Sequence, residues 1–146
     1  MKPVSSIILV ALDGSSRAPT VLAAAARMAE LAGSKLLLFR AISVPSDLPR
    51  EVLNLVDRSL EDLLIANARA DLERFAATLP RDRIERIVTP FATAWDGICR
   101  AAREFDVDLI VIGSHGYGGI DRVLGTTAAK VVNHADRNVL VVRSQL

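Results

Sequence analysis

The sequence predicts an α/β fold: a five-stranded parallel sheet with helices on both faces. Three observations carry that expectation. Ile7–Leu12 and Asp108–Ile112 are unbroken apolar runs rich in branched residues, which suits strands covered on both sides. Strand-like runs alternate with stretches of helical apolar spacing in the order βαβαβαβαβ, and such alternation requires crossover connections between parallel neighbours. The chain has 146 residues, 51% apolar and 24% charged, with a net charge of +1. That is one globular domain, 1–146, able to bury roughly 70% of its unfolded surface.

The elements follow in order. Ile7–Leu12 ends at Asp13-Gly14-Ser15-Ser16, a turn with helix-capping chemistry, where Asp13, Ser15 or Ser16 can cap. From Ser16 to Ala32, the positions Ala18, Val21, Leu22, Ala25, Met28, Ala29 and Ala32 form one helical stripe, and Gly33 stops it. Leu36–Ile42 is a second buried strand. Val44–Arg50 holds two prolines and reads as a loop. A long helix begins at Glu51 or Asp57 and runs to Leu79, with Leu60, Leu64, Ala68, Leu72, Phe75 and Leu79 on one face and Pro80 as its stop. Arg83–Thr89 is a more polar strand, suited to a sheet edge. Thr93–Phe105 is a helix, Asp108–Ile112 the clearest buried strand, Gly125 onward a helix, and Val139–Val142 the last strand.

Composition excludes several classes. Basic and acidic residues number 18 and 17, interspersed, and there are only 6 aromatics. A nucleic-acid platform needs clustered charge or stacking rings, so no nucleic-acid partner is expected. The arginine-rich surface, 15 Arg to 3 Lys, would suit bidentate anion contacts. A single cysteine, Cys99, forms no internal disulfide and reads as a small core residue. Two histidines and one cysteine far apart give no metal spacing; His134 reads as a helix-end residue and Trp95 as packing at a helix start. No stretch of 18 apolar residues exists, and the first apolar run lacks a leader's cleavage pattern. The expected location is cytoplasmic, with no membrane partner.

In parallel folds, ligands bind beyond the carboxyl ends of the strands, where strand order reverses. That rule selects the loop after Leu12, the segment after Arg40 and the loop after Ile112. The last holds the glycines: Gly113-Ser114-His115-Gly116-Tyr117-Gly118-Gly119. A dinucleotide fingerprint starting at Gly116 needs glycine at 121 and meets Asp121; a Walker loop needs a lysine that is absent; a nucleophile elbow fails because Ser114 directly follows Gly113. What remains is Gly113 and Gly116, then Gly125-Thr126-Thr127 opening a helix. Glycines admit a phosphate to the backbone, helix N–H groups point at it, and threonine hydroxyls add donors. The same glycines also suit a plain tight crossover. Asp13, ending a strand in the crevice region, can accept ribose hydroxyls or hold a metal ion; it can equally cap the first helix.

Taken together, Val10-Ala11-Leu12-Asp13-Gly14-Ser15, Asp108-Leu109-Ile110-Val111-Ile112-Gly113-Ser114-His115-Gly116, Gly125-Thr126-Thr127 and Val139-Leu140-Val141-Val142 resemble the universal stress protein family over essentially the whole chain. The resemblance implies a Rossmann-like three-layer sandwich, similar to the adenine nucleotide alpha hydrolases, with strand order 3-2-1-4-5. It implies homodimers joined through the last strand, Val139, Leu140, Val141 and Val142. It also implies ATP, with Mg²⁺, as the ligand of the binding members. Ala11 would line the adenine side, Asp13 would hold the ribose hydroxyls and the Ala41 backbone would read the adenine edge. Gly113 would sit by the ribose, His115 could touch phosphate, and Gly116, Gly125, Thr126 and Thr127 would cradle the phosphates. Binding members resemble G-2x-G-9x-G-[ST], whereas this chain has G-2x-G-8x-G-T, one residue shorter.

Two readings follow. In one, the chain is an ATP-binding, dimeric stress-response protein that works as a switch and has no robust catalytic activity, since no lysine clamp or general base stands in the matched loops. In the other, it is a dimeric interaction module of the same fold that binds a protein partner and no nucleotide. An adenylating enzyme would need a catalytic lysine, histidine or acid at the crevice, and none of the three lysines lies in a matched loop.

Overall fold

The computed structural model describes residues 6–43, 58–114 and 124–143. Its strands are β1 (Ile7–Ala11), β2 (Lys35–Phe39), β3 (Ile84–Val88), β4 (Leu109–Gly113) and β5 (Asn138–Val142). Its helices are α1 (Ala18–Ala32), α2 (Arg58–Ala76), α3 (Ala94–Glu104) and α4 (Thr126–His134), with a 3₁₀ turn at Arg81–Arg83. All neighbouring strands are parallel, in the order β3-β2-β1-β4-β5. This is the order that the family resemblance implies.

Strand alternation divides the core in two. Ile8, Val10, Leu36, Leu38 and Val111 point to one face, where they meet Val21, Leu22 and Ala25 of α1 and Leu72 of α2. Leu9, Leu37, Phe39, Ile110 and Ile112 point to the other, against Ile98 and Ala102 of α3 and Ala128 and Val131 of α4. Each central strand is therefore covered on both sides, which is why its sequence shows no polar alternation.

The element boundaries differ from expectation for local reasons. Helix α1 starts at Ala18 because residues 15–17 form a turn: the Ser15 hydroxyl accepts the Arg17 N–H at 3.2 Å and the Ser15 carbonyl accepts the Ala18 N–H at 3.2 Å. Arg17 is the cap position and no side chain caps it, so neither Asp13, Ser15 nor Ser16 plays the capping role expected of them. Gly33 ends α1 in the left-handed region, φ 66°, with its N–H on the Ala29 carbonyl. Met28 and Ala32 fall outside the buried stripe and are exposed.

Strand β2 stops at Phe39 instead of Ile42, which makes a single bridge to Phe91. Helix α2 ends at Ala76, short of Leu79, and its buried contacts come from Ala68 and Leu72, while Leu60 is exposed. The proline-containing segment 44–50, expected as a loop, lies outside the described residues. Strand β3 is at an edge, as expected. Among the described residues no helix is long and apolar enough to cross a membrane.

Two arginines terminate helices from a distance. Arg83 Nη1 donates to the carbonyls of Ala29 (3.2 Å) and Ser34 (3.4 Å) at the end of α1. Arg137 Nη1 donates to those of Ala102 in the last turn of α3 (2.6 Å) and of Val107 beyond it (2.9 Å), while its Nε meets Asp136 at 2.9 Å. Charge-assisted bonds to helix-end carbonyls are worth more than neutral ones, and here they add to the backbone N–H bonds that the Ala29 and Ala102 carbonyls already accept. The Arg137→Met variant should therefore lose about 2 kcal/mol of stability in a urea melt. The Arg137 hydrogen bond also holds the Asp136 carboxyl below the usual carboxylate range. Because the folded value is the lower one, this stabilisation is present at neutral pH and disappears as pH falls through the folded-state value. Asp136→Asn should thus be less stable than wild type at pH 7, and the two melts should converge in acid.

Candidate functional site

Strands β1 and β4 are adjacent, yet the chain leaves β1 for α1 on one face and β4 for α4 on the other. The divergence opens a crevice of about 410 Å³ at the carboxyl ends of the strands. Its walls include Ala11 at the end of β1 and Asp13 beyond it, Phe39 at the end of β2 with Arg40 and Ala41 beyond it, and Gly113 of β4. The first residues of three helices, Ala18, Ala94 and Thr126, also line it, followed by Thr127. At α1 the N–H groups of Ala18 and Thr20 are taken by the Ser15 and Arg17 carbonyls and Pro19 has none, so the anion-favouring N–H groups and partial positive charge come chiefly from the starts of α3 and α4.

The structure thus brings together Ala11, Asp13, Ala41, Gly113, Thr126 and Thr127, six of the residues singled out from the sequence. Gly125 stands just behind them. It is buried, precedes the first residue of α4 and donates its N–H to the Ser114 carbonyl at 3.0 Å. That bond stitches β4 directly to the start of α4. His115 and Gly116 lie outside the described residues, as does Tyr117.

Asp13 is exposed, and its Oδ1 accepts the Ser15 N–H at 3.0 Å, a short turn that orients the carboxylate. Among the described wall residues Asp13 is the only carboxylate. One carboxylate fits a Mg²⁺ carried in on phosphate oxygens, and falls short of a cage built by the protein.

Arg40 escaped the sequence reading as a site residue. Its Nε donates to the Leu12 carbonyl (2.8 Å), its Nη2 to the Asp13 carbonyl (3.0 Å) and its Nη1 to Asp71 Oδ2 of α2 (2.9 Å). Burial lowers the affinity of this guanidinium for its proton and the nearby Asp13 charge opposes that shift; an arginine remains charged regardless. The signal was present: a charged residue closing an apolar strand at the crevice end, as Asp13 does.

Other residues have structural settings. Cys99 is buried in the core and burial pushes its thiol up, away from the reactive thiolate. His134 occupies the last turn of α4, and its ring lies 4.8 Å from that of Trp95 at the start of α3.

Comparison with known proteins agrees with this fold. The model of the universal stress protein family matches residues 5–143. The chain belongs to the universal stress protein family. Universal stress protein A homolog 2 of Coxiella burnetii is 30% identical over 137 residues, covering 94% of this chain and 92% of the relative. Universal stress protein UspA from Lactobacillus plantarum superposes with a TM-score of 0.71 at 25% identity, covering 94% of this chain and 97% of that one. A universal stress protein in complex with cAMP shares the fold, with a TM-score of 0.59 at 22% identity over 96% of this chain and 98% of that one.

In this universal stress protein the crevice wall at Phe39 is set by a glycine. A Cβ on Gly97 of α3 would lie 3.0 Å from Ala92 Cβ and 3.1 Å from the Phe39 ring. Glycine weakens a helix by about 1 kcal/mol relative to alanine, so its presence here reflects that close approach. Gly97→Val should destabilise the fold by about 2 kcal/mol in thermal or urea melts, because both neighbours must move.

Proposed function

We propose that the protein binds an adenine nucleotide, ATP with Mg²⁺, in the crevice between β1 and β4, and acts as a nucleotide-dependent dimeric regulator of the stress response. The observation that carries this reading is the convergence of Asp13, Gly113, Thr126 and Thr127 on one cavity ringed by three helix N-termini. Asp13 accepts the ribose hydroxyls. The exposed Thr126 and Thr127 at the start of α4 offer hydroxyls and N–H groups to the phosphates. Ala11 and Ala41 leave space for the base. The solved relative that holds cAMP supports an adenine nucleotide as the ligand class.

The described walls favour binding over turnover. Their one arginine, Arg40, is engaged with two carbonyls and Asp71, away from the role of a transition-state clamp. Dimer formation uses β5, an edge strand whose run Val139-Leu140-Val141-Val142 carries no charge to discourage pairing. A cytoplasmic location follows from the same reading, since the nucleotide is found there.

One residue fewer between Gly116 and Gly125 than in the binding pattern favours the second reading, a nucleotide-free interaction module. The readings separate on freshly purified protein, denatured and chromatographed for nucleotide, followed by calorimetry with millimolar Mg-ATP. Co-purified adenine nucleotide or saturable heat supports the first; neither supports the second. Asp13→Ala should reduce ATP affinity at least tenfold, the loss of a charge-assisted hydrogen bond of about 1.5–3 kcal/mol. Unchanged affinity would remove the ribose role.

A further inference from the structure

We propose that Arg40 is a positioning residue for the nucleotide: it ties the Leu12 and Asp13 carbonyls to Asp71 on α2 and so fixes the turn that presents Asp13 to the ribose. The inference rests on the nucleotide reading above and adds a residue outside the glycine pattern. Leu12 and Asp13 lie beyond Ala11, the last residue of β1. Two successive carbonyls there, at 2.8 and 3.0 Å, are met by two nitrogens of one rigid planar group. The third nitrogen reaches Asp71 at 2.9 Å. The Arg40 side chain is only 14% exposed; its bonds to the Leu12 carbonyl and Asp71 are partly buried, while the one to the Asp13 carbonyl lies at the surface.

The anchor is firm. Asp71 sits beside the fully buried Leu72 on α2 and also pairs with Arg74. On the other side, the Leu12 N–H is held by the Phe39 carbonyl at 2.8 Å. The backbone before Asp13 is thus clamped by β2 through both main chain and side chain. The Ser15 N–H then orients the Asp13 carboxylate itself. With Arg40 removed, the turn loses its main restraint, and a carboxylate that must meet two ribose hydroxyls loses its aim. Lysine cannot substitute, because an ammonium does not reproduce the planar fork. Asp71 is not among the described residues of the crevice wall, and its contact toward the site is the one through Arg40.

The test is calorimetric titration of Mg-ATP and Mg-2′,3′-dideoxy-ATP into wild type, Arg40→Met, Arg40→Lys, Asp71→Asn and Asp13→Ala. Dideoxy-ATP lacks the hydroxyls that Asp13 holds, so the ratio of the two affinities reports the ribose contact alone. Wild type should prefer ATP by about tenfold or more. Arg40→Met and Arg40→Lys should reduce that ratio to within about threefold of unity, and Asp71→Asn should lower it part of the way. Arg40→Met combined with Asp13→Ala should lose no more than Asp13→Ala alone, the non-additivity expected of residues acting as a unit. Circular dichroism melts establish that each variant folds; should Arg40→Met fail to fold, Asp71→Asn decides the matter. A wild-type ratio in both Arg40→Met and Asp71→Asn overturns the positioning role and leaves nucleotide binding intact. Absence of heat from either nucleotide with wild type overturns the nucleotide reading and this one with it.

Discussion

Strands β1 and β4 lie side by side at the centre of the sheet, and their following connections turn away to opposite faces. Everything else in the site depends on that divergence. Two parallel strands that fed helices on one face would have their carboxyl ends roofed over. Here the gap stays open, and the loops on either side face each other across it. Asp13 arrives from the β1 side and Gly113, Thr126 and Thr127 from the β4 side. The sheet register fixes where each strand ends, so the crevice is set by the same hydrogen bonds that hold the core.

The arginine content finds a use that differs from the anion-binding surface suggested by composition. Arg40, Arg83 and Arg137 each reach at least two backbone carbonyls at the end of a strand or helix. Ends of elements in an α/β sandwich are where carbonyls run out of regular partners. A guanidinium can satisfy two acceptors at once from a long stem whose methylenes pack against apolar neighbours. This explains a preference for arginine over lysine at these three places, on structural grounds and without reference to ligand.

The fold was largely legible because its strongest signals are local. Unbroken runs such as Ile7–Ala11 and Leu109–Gly113 admit few interpretations, and Gly33 marks a helix end by its conformation. What misled were periodic residues whose spacing was right and whose burial was not. Met28 and Leu60 fit their helical stripes, but burial depends on how far the sheet reaches under each helix, which spacing alone does not encode. The site was legible where chain ends meet the crevice, as at Asp13 and Thr126. Arg40 also closes a strand at the crevice, but its bond to Asp71, 31 residues away, has no periodicity to announce it. The capping alternative for Asp13 is not realised, since its carboxylate accepts the Ser15 N–H two residues on and α1 has no side-chain cap.

The two borders of the sheet are unequal. At β3, Glu85 and Arg86 are exposed and the pairing with β2 is irregular between Leu36 and Leu37, so a second sheet finds charge and a broken register there. At β5 the residues after Asn138 are uncharged and evenly matched to β4. The chain therefore has one uncharged, regular border and one charged, irregular border. Joining two copies border to border uses up the uncharged side of both and leaves charge facing outward at each end. In the dimer proposed above, growth by strand addition would stop at two, because the asymmetry of the borders closes off the open-ended polymer that a symmetric pair would permit.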